Sequence, residues 1–222
     1  VDSGIKVVEV NMTSLTTTDA YVGADWYGLA SQGMDMLVKT CAKSAGKSGK
    51  IALISGTPTN PGMIIGMQAI NDKLEQHKSD LELVANQSAD FDPTKAHATA
   101  ATLLKKDEDL CGFYGIWDGQ DFGTAAAIKE AGKTGKVMLA SSGGGRLAAA
   151  CDNLANDNFS AYLSYDGRGQ GRDLANVVKM LLQDPAPPAS RPFGLYSPVT
   201  VLTKDNMDGA CWTIEDIKAN GP

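Results

Sequence analysis

The chain contains two imidazoles, His77 and His97, and four thiols, Cys41, Cys111, Cys151 and Cys211, which narrows the chemistry it can support. Nucleophilic catalysis by serine or cysteine needs an imidazole beside the nucleophile. His77 falls at the end of a predicted helix and His97 on the flank of another, and neither follows a strand end, where open α/β sheets gather their ligand groups. Both read as solvated surface residues. The cysteines lie tens of residues apart without a C-x-x-C pair, which argues against a structural zinc site. Four well-separated cysteines fit two disulfides made in an oxidising compartment; four buried thiols in a reducing one are the other reading.

Phosphate chemistry fares no better. Gly46-Lys47-Ser48 and Gly132-Lys133-Thr134 resemble the end of a P-loop, but the glycine needed five positions earlier is Cys41 in one case and Ala127 in the other. Both triplets also precede a strand where the motif precedes a helix. Ser142-Gly143-Gly144-Gly145 follows a strand as a dinucleotide loop does, yet Ala148 stands where G-x-G-x-x-G requires glycine. It reads as a tight turn. The chain is expected to be no enzyme and to need no cofactor or metal.

What remains is a set of residues placed directly after predicted strands: Asn11 and Met12, Thr57 to Asn60, Asp90 and Phe91, Trp117 and Asp118, Ser142 and Gly143, Tyr165 and Asp166. In an open parallel sheet these loops share one edge and form a crevice. Aromatic faces mixed with amide, hydroxyl and carboxylate groups suit a small hydroxylated ligand, since rings cover C–H faces while polar groups meet hydroxyls. Each residue also has a structural reading. Asp118 serves equally as a helix N-cap, Phe91 and Trp117 as core, and Tyr165 as cover for a sheet edge.

The elements that must position these loops alternate between short Val/Ile/Leu-rich runs and longer stretches of helical period. Strands are predicted at 4–11, 50–56, 81–87, 112–117, 136–141, 159–165 and 197–203. Helices are predicted from Trp26 to about Ala42, Met63 to His77, Pro93 to Lys106, Asp118 to Ile128, a short alanine-rich one to Cys151, and about 169–183. Asp92-Pro93 supplies an N-cap with proline in the first turn. The fold class is therefore α/β, a parallel sheet flanked by helices on both faces. Of the 222 residues 43% are hydrophobic and 21% charged, enough for a packed core. With 20 Lys and Arg against 26 Asp and Glu the net charge is −6, a poor match for a nucleic-acid backbone. No apolar run approaches the roughly 20 residues that span a bilayer.

The segments GKIALISGTPTN, QSADFDPTKA, GFYGIWDGQDFGTAAAIKEAGK, KVMLASSGG and SAYLSYDGRGQGRDLANVV, spread over residues 4–206, resemble the type I periplasmic binding proteins, the ribose-binding-like receptors of ABC importers. That resemblance implies two α/β lobes joined by three crossovers, closing over a small ligand that is handed to permease subunits in the membrane. It implies a complete lobe at 25–165, a remnant of the other lobe with hinge crossovers at 1–24 and 166–206, and a tail at 207–222, most of the N-terminal lobe being missing.

The same resemblance places ligand contacts at Asn11, Met12, Met63 or Ile64, Phe91, Trp117, Asp118, Ser142, Gly143 and Tyr165. Typical sugar receptors use Asp and Arg at several of these positions. Asn11-Met12 and Gly143 therefore point to a neutral ligand, a sugar or small polyol. The implied protein is periplasmic, monomeric when full length, and binds no nucleic acid. A sensor of the same fold feeding a signalling receptor and the effector lobe of a LacI-type regulator are the alternatives. In the implied lobe, Cys111 and Cys151 lie at the edge opposite the pocket and are expected to bond, leaving Cys41 for Cys211.

Overall fold

A computed structural model describes residues 3–14, 16–144 and 147–220. Gly145, expected in the turn after the strand at 136–141, lies outside them. A three-stranded parallel sheet is built from β1 (Val8–Val10), β2 (Ala20–Ala24) and β8 (Phe193–Ser197), in the order β1-β2-β8. The larger sheet contains β3 (Lys50–Ser55), β4 (Glu82–Ser88), β5 (Gly112–Gly115), β6 (Met138–Gly143), β7 (Ala161–Ser164) and β9 (Thr200–Leu202), in the order β4-β3-β5-β6-β7-β9. All its pairings are parallel except β7 with β9.

Helices α1 (Trp26–Cys41) and α2 (Pro61–Gln76) cover one face of the larger sheet, and α3 (Pro93–Lys106), α4 (Asp118–Glu130) and α5 (Leu147–Ala155) the other. The period of two along β3 shows why both faces need cover. Ile51 and Leu53 pack with Leu29, Met34, Leu37 and Ile70, whereas Ala52 and Ile54 pack with Leu103, Phe113, Ile128 and Leu139. Helix α6 (Gly167–Gln183) places Val177 and Leu181 against Ala20 and Val22 of the smaller sheet. A short α7 (Ile214–Asn220) follows the last strand. No helix of the described residues is long and apolar enough to cross a membrane.

The helix starts follow the sequence signals. Asp25, Asn60 and Asp92 cap α1, α2 and α3, the last accepting from Thr94 and Lys95 N–H groups, with Pro61 and Pro93 in the first turns. The strands outside the run from β3 to β7 differ from expectation, and β8 has no predicted counterpart. The strand expected at 4–11 is confined to Val8–Val10, and β2, unread in the sequence, is buried throughout. Three of the five residues in its AYVGA run are alanine or glycine, too weakly apolar to stand out. The strand expected at 197–203 is β9, and it closes the larger sheet instead of joining the smaller one, whose edge is β8.

The disulfide pairing also differs. Cys41 bonds Cys111, and Cys151 bonds Cys211. The face of the sheet decides this, not its edge. Cys41 ends α1, whose last turn lies over the start of β5, so Cys111 is its neighbour. Cys151 sits on α5 across the sheet, where the tail residues Met207, Ala210 and Trp212 pack.

Candidate functional site

The chain passes from the smaller to the larger sheet after β2, returns after β7, and crosses again between β8 and β9. Beside these passages lies a cavity of about 290 Å³. Seven of the expected residues line it: Asn11, Met12, Asn60, Phe91, Trp117, Ser142 and Tyr165. Met63 also lines it, whereas Ile64 points outward and is 59% exposed.

Local structure explains why the rings face inward. Phe91 has φ of 62°, and its N–H donates to Oε1 of buried Gln120 at 3.0 Å while the Gln120 amide donates to the Ile54 carbonyl at 2.9 Å. The end of β3 thereby fixes the Phe91 backbone. Its ring lies against Gly56, where any Cβ would collide with it. Phe91 and Trp117 meet edge to face at 6.1 Å.

On the other side Trp26 and Tyr165 form a second edge-to-face pair at 5.7 Å. Trp26, where the sequence predicts only a helix start, lines the cavity and donates its indole N–H to the Asn11 carbonyl at 2.8 Å. The Tyr21 hydroxyl donates to the same carbonyl at 3.1 Å, and Asn11 itself has φ of 64°. Its Oδ1 is shielded from solvent and has no hydrogen-bond partner among the described residues. A buried amide oxygen in that condition is available to accept from a donor brought into the cavity.

Asp118 and Gly143 do not reach the cavity surface. Asp118 is 2% exposed and accepts from the Tyr162 hydroxyl at 3.0 Å; any Cβ on Gly143 would strike that hydroxyl and the carboxylate. Ser142, beside Gly143 in β6, does line the cavity, and its hydroxyl donates to the Ile116 carbonyl at 2.7 Å. Asp118 is the first residue of α4, and the cap position belongs to Trp117, which makes no side-chain capping bond. The cap reading of Asp118 is thus replaced by a buried first-turn carboxylate. Burial, and then the charge of Asp118, push the Tyr165 phenol upward, against the pull of the Asn11 amide, so the phenol stays neutral.

One turn on, Asp121 is fully buried and accepts from Ser141 Oγ. Burial pushes its carboxyl well above the usual carboxylate range; the Ser141 hydroxyl opposes this and the Asp118 charge adds to it. The native state therefore holds this proton to higher pH than the unfolded chain does. Its contribution to stability is fully present below about pH 4, the unfolded value, and is lost as pH rises through the native one. Asp121→Asn, which cannot ionise, gains on the wild type as pH rises. Urea unfolding of both proteins at pH 4.5 and 8 should show the difference, variant minus wild type, larger at pH 8; a difference independent of pH contradicts the assignment.

Neither histidine is at the cavity; His97 lies 2.9 Å from Glu130 on the outer side of α3 and α4. Among the described residues no cluster of three metal-ligating side chains occurs.

The family model described as a periplasmic binding protein domain matches residues 1–186. The chain belongs to that family. Its similarity to the D-allose-binding periplasmic protein of Escherichia coli (strain K12) is 30% identity over 128 residues, 57% of this chain and 39% of that relative. The matched part thus spans about two fifths of the relative's length. Among solved structures it resembles an ABC transporter solute binding protein from Bacillus halodurans C-125 with bound myo-inositol, at a TM-score of 0.80 and 20% identity, over 94% of this chain and 69% of the other. GanP, a glucose-galactose binding protein from Geobacillus stearothermophilus, gives 0.78 and 20% identity over 93% and 70%. These likenesses establish the type I periplasmic binding protein fold, and the family's members are solute-binding proteins.

Proposed function

We propose that this family member is a periplasmic solute receptor of an ABC importer that binds a small neutral sugar or polyol. The observation that carries the reading is the cavity at the junction of the two sheets, where Asn11 and Met12 approach from one side and Phe91, Trp117, Ser142 and Tyr165 from the other. Residues 25–165 act as one lobe, 1–24 with 166–206 as part of the other and the hinge, and 207–222 as a tail pinned by Cys211. Ligand shifts the population towards a form closed over the rings, which permease subunits accept. Among the described residues no charged side chain lines the cavity, in keeping with a neutral ligand.

Calorimetric titration with a panel of sugars and polyols tests this. A bound member should also raise the melting temperature by mass action. Trp117→Ala should weaken binding of that member by about 5-fold to 150-fold, the equivalent of about 1 to 3 kcal/mol for a stacked ring. Wild-type affinity in the variant would remove Trp117 from the site, and no binding across the panel would end the sugar and polyol reading.

A further inference from the structure

Among the described residues five aromatic side chains line the cavity, and each lies against a glycine. A Cβ on Gly56 would collide with the end of the Phe91 ring, one on Gly119 with the outer edge of the Trp117 indole, one on Gly33 with the Tyr114 phenol, and one on Gly144 with the Tyr165 ring. At Gly62 it would stand 3.1 Å from the Trp26 indole, tighter than an ordinary contact. None of the five glycines has φ in the left-handed region, so their backbones do not call for glycine. Gly33 lies inside α1 and Gly119 in the first turn of α4, where alanine is the better helix former. At each position the missing methyl makes room for a ring.

We infer that these glycines determine the specificity of the site: by leaving out the side chain beside each ring they set how far it stands into the cavity, and so the largest solute the cavity admits. The inference rests on the receptor reading above and assigns its size limit to residues of which only Gly62 borders the cavity itself. A close-packed interior leaves a displaced ring little room except an adjoining void, and the void beside these five rings is the cavity. The atoms that a new methyl meets at Gly56 and Gly119 are the far ends of Phe91 and Trp117, which turn aside more readily than backbone. A methyl at either position therefore narrows the site while the fold is kept.

The probes are hexoses paired with the pentose that lacks only their hydroxymethyl arm: D-allose with D-ribose, D-galactose with L-arabinose, and D-glucose with D-xylose. Each pair is titrated by calorimetry against the wild type, Gly56→Ala and Gly119→Ala, two positions in separate elements, so that either variant carries the test if the other does not fold. The ratio of hexose to pentose affinity should fall about tenfold in both, as overpacking by one methyl group implies. Gly171→Ala on α6, whose Cβ would meet nothing within 4 Å, should leave the ratio unchanged. Fluorine NMR of protein labelled with fluorotryptophan follows the rings without any solute. The Trp117 resonance should shift in Gly119→Ala, and in Gly56→Ala through the edge of Phe91, while that of Trp212 stays in place. A Trp117 resonance that does not move, or an unchanged ratio in a folded variant, would overturn the inference and leave the receptor reading intact. Failure of every pair to bind the wild type would overturn both.

Discussion

Alanine in place of both Cys41 and Cys111 lowers the free energy of unfolding by about 4 kcal/mol, because the bond closes a loop with a sequence separation of 70 that is otherwise free in the unfolded chain. The loop contains β3, α2, β4 and α3, two of the six strands of the larger sheet and helices on both its faces. Cys41 is fully buried, so alanine at that position also leaves a small void beside Leu37 and Gly112. Removing Cys151 and Cys211 should cost less. That bond anchors a tail whose residues from Thr203 onward are mostly exposed, so the sheet remains assembled when the tail is freed. Urea unfolding of the two double variants measures both effects, and non-reducing peptide mapping checks the pairing. A loss below about 1 kcal/mol for the Cys41 and Cys111 pair, or peptides joining Cys111 to Cys151, would contradict the structure.

Gly123→Ala is the second large effect, with an expected loss of about 3 kcal/mol or more. Gly123 lies where α4 crosses α3, and a Cβ there would run into the Pro93 carbonyl. The obstacle is backbone at the first turn of a helix, so it cannot swing aside as a side-chain tip does. Relief would require α3 to move off the sheet, opening contacts of Ala96, Ala100, Leu103 and Leu104 with the core. Gly66 provides the contrast, since a methyl there meets only ordinary contacts. Thermal unfolding of the two alanine variants should therefore shift in opposite directions. A Gly123→Ala protein as stable as wild type would mean that the helices cross farther apart.

The larger sheet was legible because its signals are local and agree with one another. KIALIS is apolar on both faces of a strand, and Asn60-Pro61 and Asp92-Pro93 announce the next helices by capping chemistry that depends on neighbours only. Two things lay beyond that reach. Strand β2 is held by pairing with β1 and β8, one of them far away in sequence, so its own composition says little. The cysteine pairing depends on which face of the sheet each helix covers, and helical period alone does not say this. In the site, the loops after β5, β6 and β7 were readable from strand ends. Trp26 was missed because it begins a helix, and only the crossing from the smaller sheet brings it to the Asn11 carbonyl.

Asn11, Asp90, Phe91 and Asp166 all have positive φ, between 47° and 64°, and all sit on or next to the rim of the cavity. Side chains with a Cβ adopt that backbone region at a cost of roughly 1 to 2 kcal/mol each, and for Phe91 no local side-chain hydrogen bond offsets it. The fold meets this cost before any solute arrives. Asn11 is fixed through its carbonyl by Trp26 and Tyr21, Phe91 through its amide by Gln120, and Tyr165 through its carbonyl by Gln170. A solute bound as proposed would meet a rim with little disorder left to lose, the entropy of arranging these loops being charged to folding instead of to affinity. On the proposed receptor reading, preorganisation of this kind would assign selectivity to the ring faces and the Asn11 amide, and leave any bending of the chain to the three passages between the sheets.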